Sequence, residues 1–259
     1  MRTNPVRKAL LERQVTLGTW LQIGHAAAAE VLAVAGYDWI AADCEHTDID
    51  VEVFSALARG MHGRGPVPMA RVRENDTLAI RQMLDAGALG VIVPLVNSAD
   101  EAARAVAAAK YPPQGVRGFC FSRMNDWGAD FDDYTARANG EIAVVTMVES
   151  QQAVEQIDAI LEVDGVDGVF LGPYDLSGSY GVPGNTAHPD VLAACRTVID
   201  ACAAHGKSAG LHVVDPAPAN ITKALDDGFT FIALGVDTVF LMQAGTKAIE
   251  VARSVLQRR

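Results

Sequence analysis

One pattern runs through the chain from end to end and restricts its fold more than any other feature. Short runs rich in β-branched residues alternate with longer Ala- and Leu-rich segments whose apolar positions recur at helical spacing. The runs are TLGTWLQI, YDWIAADC, VPMARVR, GVIVPLV, IAVVTMVE, GVFLGP, SAGLHV and FTFIALGV, and each is read as a strand. Helices are expected to start near Ala26, Val51, Asp76, Ala99, Gln151, Pro189, Pro216 and Val239. Gly36, Gly65, Gly87, Gly206 and Gly228 punctuate helix ends, where a residue without Cβ enters the left-handed turn most easily. Eight strand–helix units in 259 residues fit an α/β fold of the closed (β/α)8 type, a TIM barrel, better than an open doubly wound sheet. No low-complexity linker interrupts the repeat, so residues 1–259 are read as one barrel domain.

Composition narrows the function. Half of the residues are hydrophobic, enough for a large core, and no apolar run approaches the roughly 18–20 residues of a membrane span. The N-terminal MRTNPVRKALLERQ scatters charges where a secretory signal needs an apolar centre. A net charge of -11 without a basic patch argues against nucleic acid as a partner. Cys44, Cys120, Cys195 and Cys202 form no CxxC pair, so neither a zinc knuckle nor a redox motif is expected. Cys195 and Cys202 fall on one expected helix face and are read as core; reduced thiols point to the cytoplasm. The longest irregular stretch is expected from Pro112 to about Arg137, and it holds FCFSRMNDWGADFDDY. Asp126, Asp130, Asp132 and Asp133 within it are read as a solvated acidic loop, and His25 and His62 as solvated surface residues.

In a barrel of this kind the reacting groups stand at the C-terminal ends of strands and in the loops that follow. That rule selects Trp20 and Gln22, the run Asp43-Cys44-Glu45-His46, Arg71 and Arg73, Glu149, the run Gly172-Pro173-Tyr174-Asp175, His212, and the region of Asp237. Glu149 and Asp175 end successive apolar runs, and two carboxylates with room for water suit Mg²⁺ or Mn²⁺. Their plain alternative is helix and turn capping. His46 sits beside two carboxylates, which favours acid–base work over a surface role. Arg71 is placed to clamp an anion or oxyanion, its alternative being a structural ion pair. None of the eight runs contains a lysine, so a Schiff-base route has no evident nucleophile.

At these residues the sequence resembles the metal-dependent pyruvate aldolases typified by 4-hydroxy-2-oxoheptanedioate aldolase and 2-dehydro-3-deoxyglucarate aldolase. AGYDWIAADCEH, ARVRENDTLAIRQMLDAGALGVIVPLV, YPPQGVRG, MVES and GVDGVFLGPYDLSGSYG carry the resemblance, in that order, over nearly the whole chain. It implies a barrel of the phosphoenolpyruvate/pyruvate-domain type. It also implies a homo-oligomer, commonly a hexamer built as a trimer of dimers with exchanged C-terminal helices. Glu149 and Asp175 would hold a divalent cation (Mg²⁺, Mn²⁺ or Co²⁺), and His46 would be the acid–base histidine. Arg71 would hold the keto oxygen and Asp85 would pair with the histidine. Gly172, Pro173 and the amides at Tyr174 and Asp175 would seat the pyruvate carboxylate, with Asp43 and Glu45 behind them.

The implied reaction is reversible cleavage of a 4-hydroxy-2-oxo acid to an aldehyde and pyruvate, or a close 2-oxo acid such as hydroxypyruvate, through an enolate stabilised by the cation. Trp20, Arg123 and His212 are expected to shape the aldehyde pocket. Arg123 would favour an acidic aldehyde, or else pair with one of the loop aspartates. Asp85 ends a helix on the bottom face while His46 follows a strand at the top, so the pair is expected to form only between neighbouring chains. Three alternatives stay open: an oxaloacetate decarboxylase, a lyase acting on CoA thioesters, and a barrel without catalysis.

Overall fold

The computed structural model describes residues 1–258. Eight strands, β1 (Thr16–Leu21), β2 (Trp39–Asp43), β3 (Val67–Arg71), β4 (Gly90–Val93), β5 (Ala143–Val148), β6 (Gly168–Leu171), β7 (Ser208–Val213) and β8 (Phe231–Val236), pair in sequence order. Every neighbour is parallel, and β8 returns to β1 to close the barrel. Around it lie α1 (Pro5–Leu11), α2 (Ala26–Val34), α3 (Val51–Gly60), α4 (Thr77–Ala86), α5 (Ala99–Ala109), α6 (Phe131–Glu141), α7 (Gln151–Glu155), α8 (Ile157–Leu161), α9 (Pro173–Ser179), α10 (Pro189–Ala204), α11 (Pro218–Asp227) and α12 (Asp237–Gln257). Among the described residues no helix is long and apolar enough to cross a membrane.

Local chemistry sets the helix starts. Asp50, Asp76, Ser98 and Ser150 each accept from an amide in the first turn of α3, α4, α5 and α7, satisfying donors that a helix leaves unpaired. Glycine lets aromatic rings fill the barrel. A Cβ on Gly18 would stand 2.0 Å from the indole of Trp39, and one on Gly210 would stand 2.6 Å from the ring of Phe170. Trp39 stacks on Phe231 at 4.2 Å and Phe170 meets Phe231 edge-on at 5.9 Å, so the interior is packed and not a channel. Helix α1 covers the lower end. Its Val6 and Leu10 are buried, the Ser208 hydroxyl donates to the Leu10 carbonyl at 2.8 Å, and Arg7 pairs with buried Asp167 at 3.0 Å.

Three expectations need correction. The segment 112–137 is not irregular throughout: it contains a 3₁₀ turn over Arg123–Gly128 and the start of α6. The sequence FDDYTARANGE hides that helix because only Tyr134 and Ala138 are buried, too few to mark a period. The loop acids are not simply solvated, since Asp130 accepts from the Met1 ammonium at 2.8 Å and Asp133 joins it. Part of the aromatic density upstream is packing: Tyr111 stacks on Phe119 at 4.6 Å and carries the Arg117 guanidinium on its ring at 4.7 Å, while Phe121 and Trp127 stay exposed. Lastly, Cys202 is buried but Cys195 is only partly so.

Candidate active site

The upper ends of the strands enclose a cavity of about 690 Å³ lined, among others, by Trp20, Arg71, Met147, Gly172, Pro173, Tyr174, Asp175 and His212. Its most constrained group is Arg71. The Nε donates to Asp43 Oδ1 at 3.0 Å, a terminal nitrogen lies 2.7 Å from Asp43 Oδ2, and the other lies 3.3 Å from Glu45 Oε2. The guanidinium carbon stands 4.7 Å over the Trp20 ring. Residues Asp43 and Arg71 are register partners at the ends of β2 and β3, so strand pairing itself brings them together. Burial pushes the Asp43 carboxyl up, but its bonds to Arg71 and Gln22 more than reverse this and hold it below the ordinary carboxylate value.

Glu149 and Asp175 have no ion-pair partner among the described residues, whereas Glu45 shares Arg71 with Asp43. Burial pushes Glu149 up to about 7; the Leu95 amide, donating at 2.9 Å, opposes this, while the charges of Glu45 and Asp175 add to it. Leu95 takes a left-handed backbone, φ 53°, to present that amide. Burial also raises Glu45, with Arg71 opposing. The space above Gly172 is where Glu149 and Asp175 meet. A Cβ there would lie 2.9 Å from Glu149 Cγ and 3.3 Å from both Glu149 Oε1 and Asp175 Oδ2. An all-oxygen pair with unbalanced negative charge suits a hard divalent cation. Among the described residues no cluster of three or more His, Cys, Asp or Glu is placed to ligate a metal. Gly172 caps α9 and Pro173 occupies its first turn, leaving the amides of Tyr174 and Asp175 without intrahelical acceptors.

Three expected members, Asp85, His46 and Arg123, do not line this cavity. Asp85, at the end of α4, accepts from Arg117 at 2.7 Å and lies 3.5 Å from Cys120 Sγ; within one chain it does not meet His46. His46 follows β2 with its side chain 60% exposed, its Nε2 3.5 Å from Glu45 Oε2. Arg123 does not line the cavity. It packs beneath the barrel against Gly87, 3.4 Å from the Ala58 carbonyl, and has no carboxylate partner among the described residues. Sequence reasoning missed Leu95, whose role is played by an amide, and the outer arm of the cavity formed by Thr186, Asp215, Asn220, Lys223 and Asp227. Lys223 in that arm bonds Asp227 at 2.6 Å and sits on α11, not on a strand.

Residues 16–244 match the family model for the HpcH/HpaI aldolase/citrate lyase family, and the chain belongs to that family. A 5-keto-4-deoxy-D-glucarate aldolase from Shigella sonnei (strain Ss046) is 37% identical over 234 residues, 90% of this chain and 91% of that protein. Among solved structures, an HpcH/HpaI aldolase/citrate lyase family protein from Burkholderia cenocepacia J2315 is 32% identical with a TM-score of 0.92, covering 97% of this chain and all of that one. An HpcH/HpaI aldolase from Desulfitobacterium hafniense DCB-2 is 28% identical with a TM-score of 0.87, covering 96% of each chain.

Proposed function

We propose that the protein is an aldolase that reversibly cleaves a 4-hydroxy-2-oxo acid to pyruvate, or a close 2-oxo acid, and an aldehyde, with a divalent cation at Glu149 and Asp175. The observation that carries this reading is a cavity lined by both the Arg71 guanidinium, held by Asp43, and the turn at Gly172 where the Glu149 and Asp175 carboxylates converge. The curated relative named as a 5-keto-4-deoxy-D-glucarate aldolase supports the same chemistry.

Making or breaking the bond requires negative charge to build on the keto oxygen of the pyruvate half. Arg71 places a positive charge there, and because Asp43 and Glu45 already hold it, little reorganisation is needed when that charge appears. The amides of Tyr174 and Asp175 seat the carboxylate. His46 moves the proton at the aldehyde oxygen, directly or through a water. When bound, the cation supplies Lewis-acid stabilisation of the same developing charge; Mg²⁺, Mn²⁺ and Co²⁺ all suit such a site.

Assembly belongs to this reading. Helix α12 leaves Leu241 67% and Met242 57% exposed, with Val255 and Leu256 also open to solvent, an apolar surface fitted to a homo-oligomer that exchanges this helix. The test is pyruvate release from a panel of 4-hydroxy-2-oxo acids, run against CoA thioesters and oxaloacetate. Cleavage of the hydroxy-oxo acids, lost in EDTA and restored by Mg²⁺, Mn²⁺ or Co²⁺, is expected. Full activity in EDTA, or borohydride trapping of pyruvate on a lysine, overturns the reading.

A further inference from the structure

His212 near the end of β7 is held in one tautomer. Its Nε2 lies 3.1 Å from the Gly235 carbonyl, and because a carbonyl only accepts, Nε2 carries the hydrogen. Burial lowers the ring's pKa to about 4, with the Gly235 carbonyl opposing and the charge of Arg71 contributing in the same direction as burial. The imidazole is therefore neutral at pH 7, and Nδ1 keeps a bare lone pair. Among the described residues nothing donates to Nδ1, nor is it one of the buried polar atoms sealed away without a partner. It is a free acceptor on a ring that lines the cavity.

Position says which part of a substrate it meets. Arg71 stacks over Trp20 at 4.7 Å, and Trp20 meets His212 edge-on at 6.3 Å, so the indole neighbours both the guanidinium and the imidazole. Beyond His212 the cavity continues into the arm of Asp215, Asn220 and Lys223. A 2-oxo acid clamped by Arg71 leaves His212 beside the half that lies past the newly formed bond. We propose that His212 is a specificity-determining residue whose Nδ1 accepts a hydrogen bond from a hydroxyl on the aldehyde half, so that the site takes hydroxyaldehydes over alkyl aldehydes of equal length. This rests on the aldolase reading above.

The experiment uses metal-loaded protein with pyruvate as donor and compares kcat/KM for glycolaldehyde against acetaldehyde, and for glyceraldehyde against propanal. Wild type is expected to favour the hydroxylated member of each pair by about tenfold or more, the order set by one hydrogen bond made inside the cavity to an acceptor that no described residue fills. His212→Leu is expected to lose that preference, while His212→Asn, which offers an amide oxygen near the position of Nδ1, keeps most of it. An unchanged ratio in His212→Leu overturns the proposal. So does a change that appears only between hydroxypyruvate and pyruvate as donors.

Should the leucine variant fail to fold, wild type labelled with ¹⁵N-histidine gives a second readout. The His212 Nδ1 resonance is expected to shift with glycolaldehyde and not with acetaldehyde, and identical responses overturn the proposal. Failure of the underlying reading looks different. Metal-loaded wild type would then exchange no pyruvate methyl protons and join no aldehyde, and this inference falls with it. Exchange and addition without hydroxyl preference sink this inference alone.

Discussion

Asp85 and His46 face opposite ends of the same barrel: Asp85 accepts from Arg117 at 2.7 Å beneath β4, whereas His46 stands 60% exposed above β2. A hydrogen bond between them needs heavy atoms within about 3.2 Å, so if they work as a pair they do so between chains. Mixing inactive His46→Ala and Asp85→Asn proteins under exchange conditions is expected to restore part of the aldolase rate, because some mixed sites regain both native residues. Mixed oligomers that remain inactive would reduce Asp85 to an anchor for Arg117.

Arg71 reaches Asp43 through two nitrogens and Glu45 through a third contact, which a lysine cannot reproduce. Arg71→Lys is expected to lower kcat about 100-fold or more, and Asp43→Asn to lower it about tenfold by loosening the guanidinium. Steady-state kinetics check both. Near-native kcat in Arg71→Lys would mean that a positive charge alone suffices.

Gly172 has room for hydrogen but not for carbon, because Glu149 Cγ would lie 2.9 Å from a Cβ there. Gly172→Ala is expected to push the two carboxylates apart and weaken Mn²⁺ binding by about tenfold or more while the fold stays intact, since its φ of −107° suits any residue. Calorimetric titration with Mn²⁺, read beside circular dichroism, measures this. Unchanged Mn²⁺ affinity would place the cation elsewhere.

His212 also predicts a pH effect on stability. In the fold its pKa is lowered from 6.5 to about 4, by burial above all. As pH falls from 6.5 towards 4 the unfolded chain takes up a proton that the folded chain refuses, so stability drops through that window, by at most about 1.4 kcal/mol per pH unit. Above pH 6.5 the group is neutral in both states and has no effect. His212→Asn should therefore lose Tm less steeply than wild type between pH 6.5 and pH 4. Parallel Tm profiles would show that the ring is protonated in place.

Exposed apolar residues on α12 predict an assembly defect. Leu241→Glu combined with Met242→Glu is expected to shift the sedimenting species towards monomer, because both side chains are more than half exposed on the single chain. An unchanged sedimentation coefficient would mean that α12 makes no contact between chains.

Much of this was legible in the sequence. The barrel was, because eight alternations of strand and helix leave few other closed arrangements. Asp43, Arg71, Glu149 and Asp175 were legible because position at a strand end is a topological property. The geometry brings them to one cavity rim or its immediate support. Leu95 was not, since an amide in a left-handed turn leaves no side-chain signature. Arg123 was misplaced for a related reason: its segment precedes β5, and so it packs beneath the barrel within its own chain. Helix α6 was missed because little of it is buried, which removes the period by which helices are recognised.

The two ends of the cavity come from separate stretches of chain. Arg71 and the 172–175 turn line one part, with Glu45 behind Arg71 and Glu149 against Gly172, while Asp215, Asn220 and Lys223, past β7 and into α11, line another. On the aldolase reading proposed above, substitutions in the second stretch are expected to change which aldehyde enters while the guanidinium clamp and its carboxylates stay as they are. On that reading, acceptor choice is expected to drift within one βα unit while the bond-making groups, carried by other units, stay fixed.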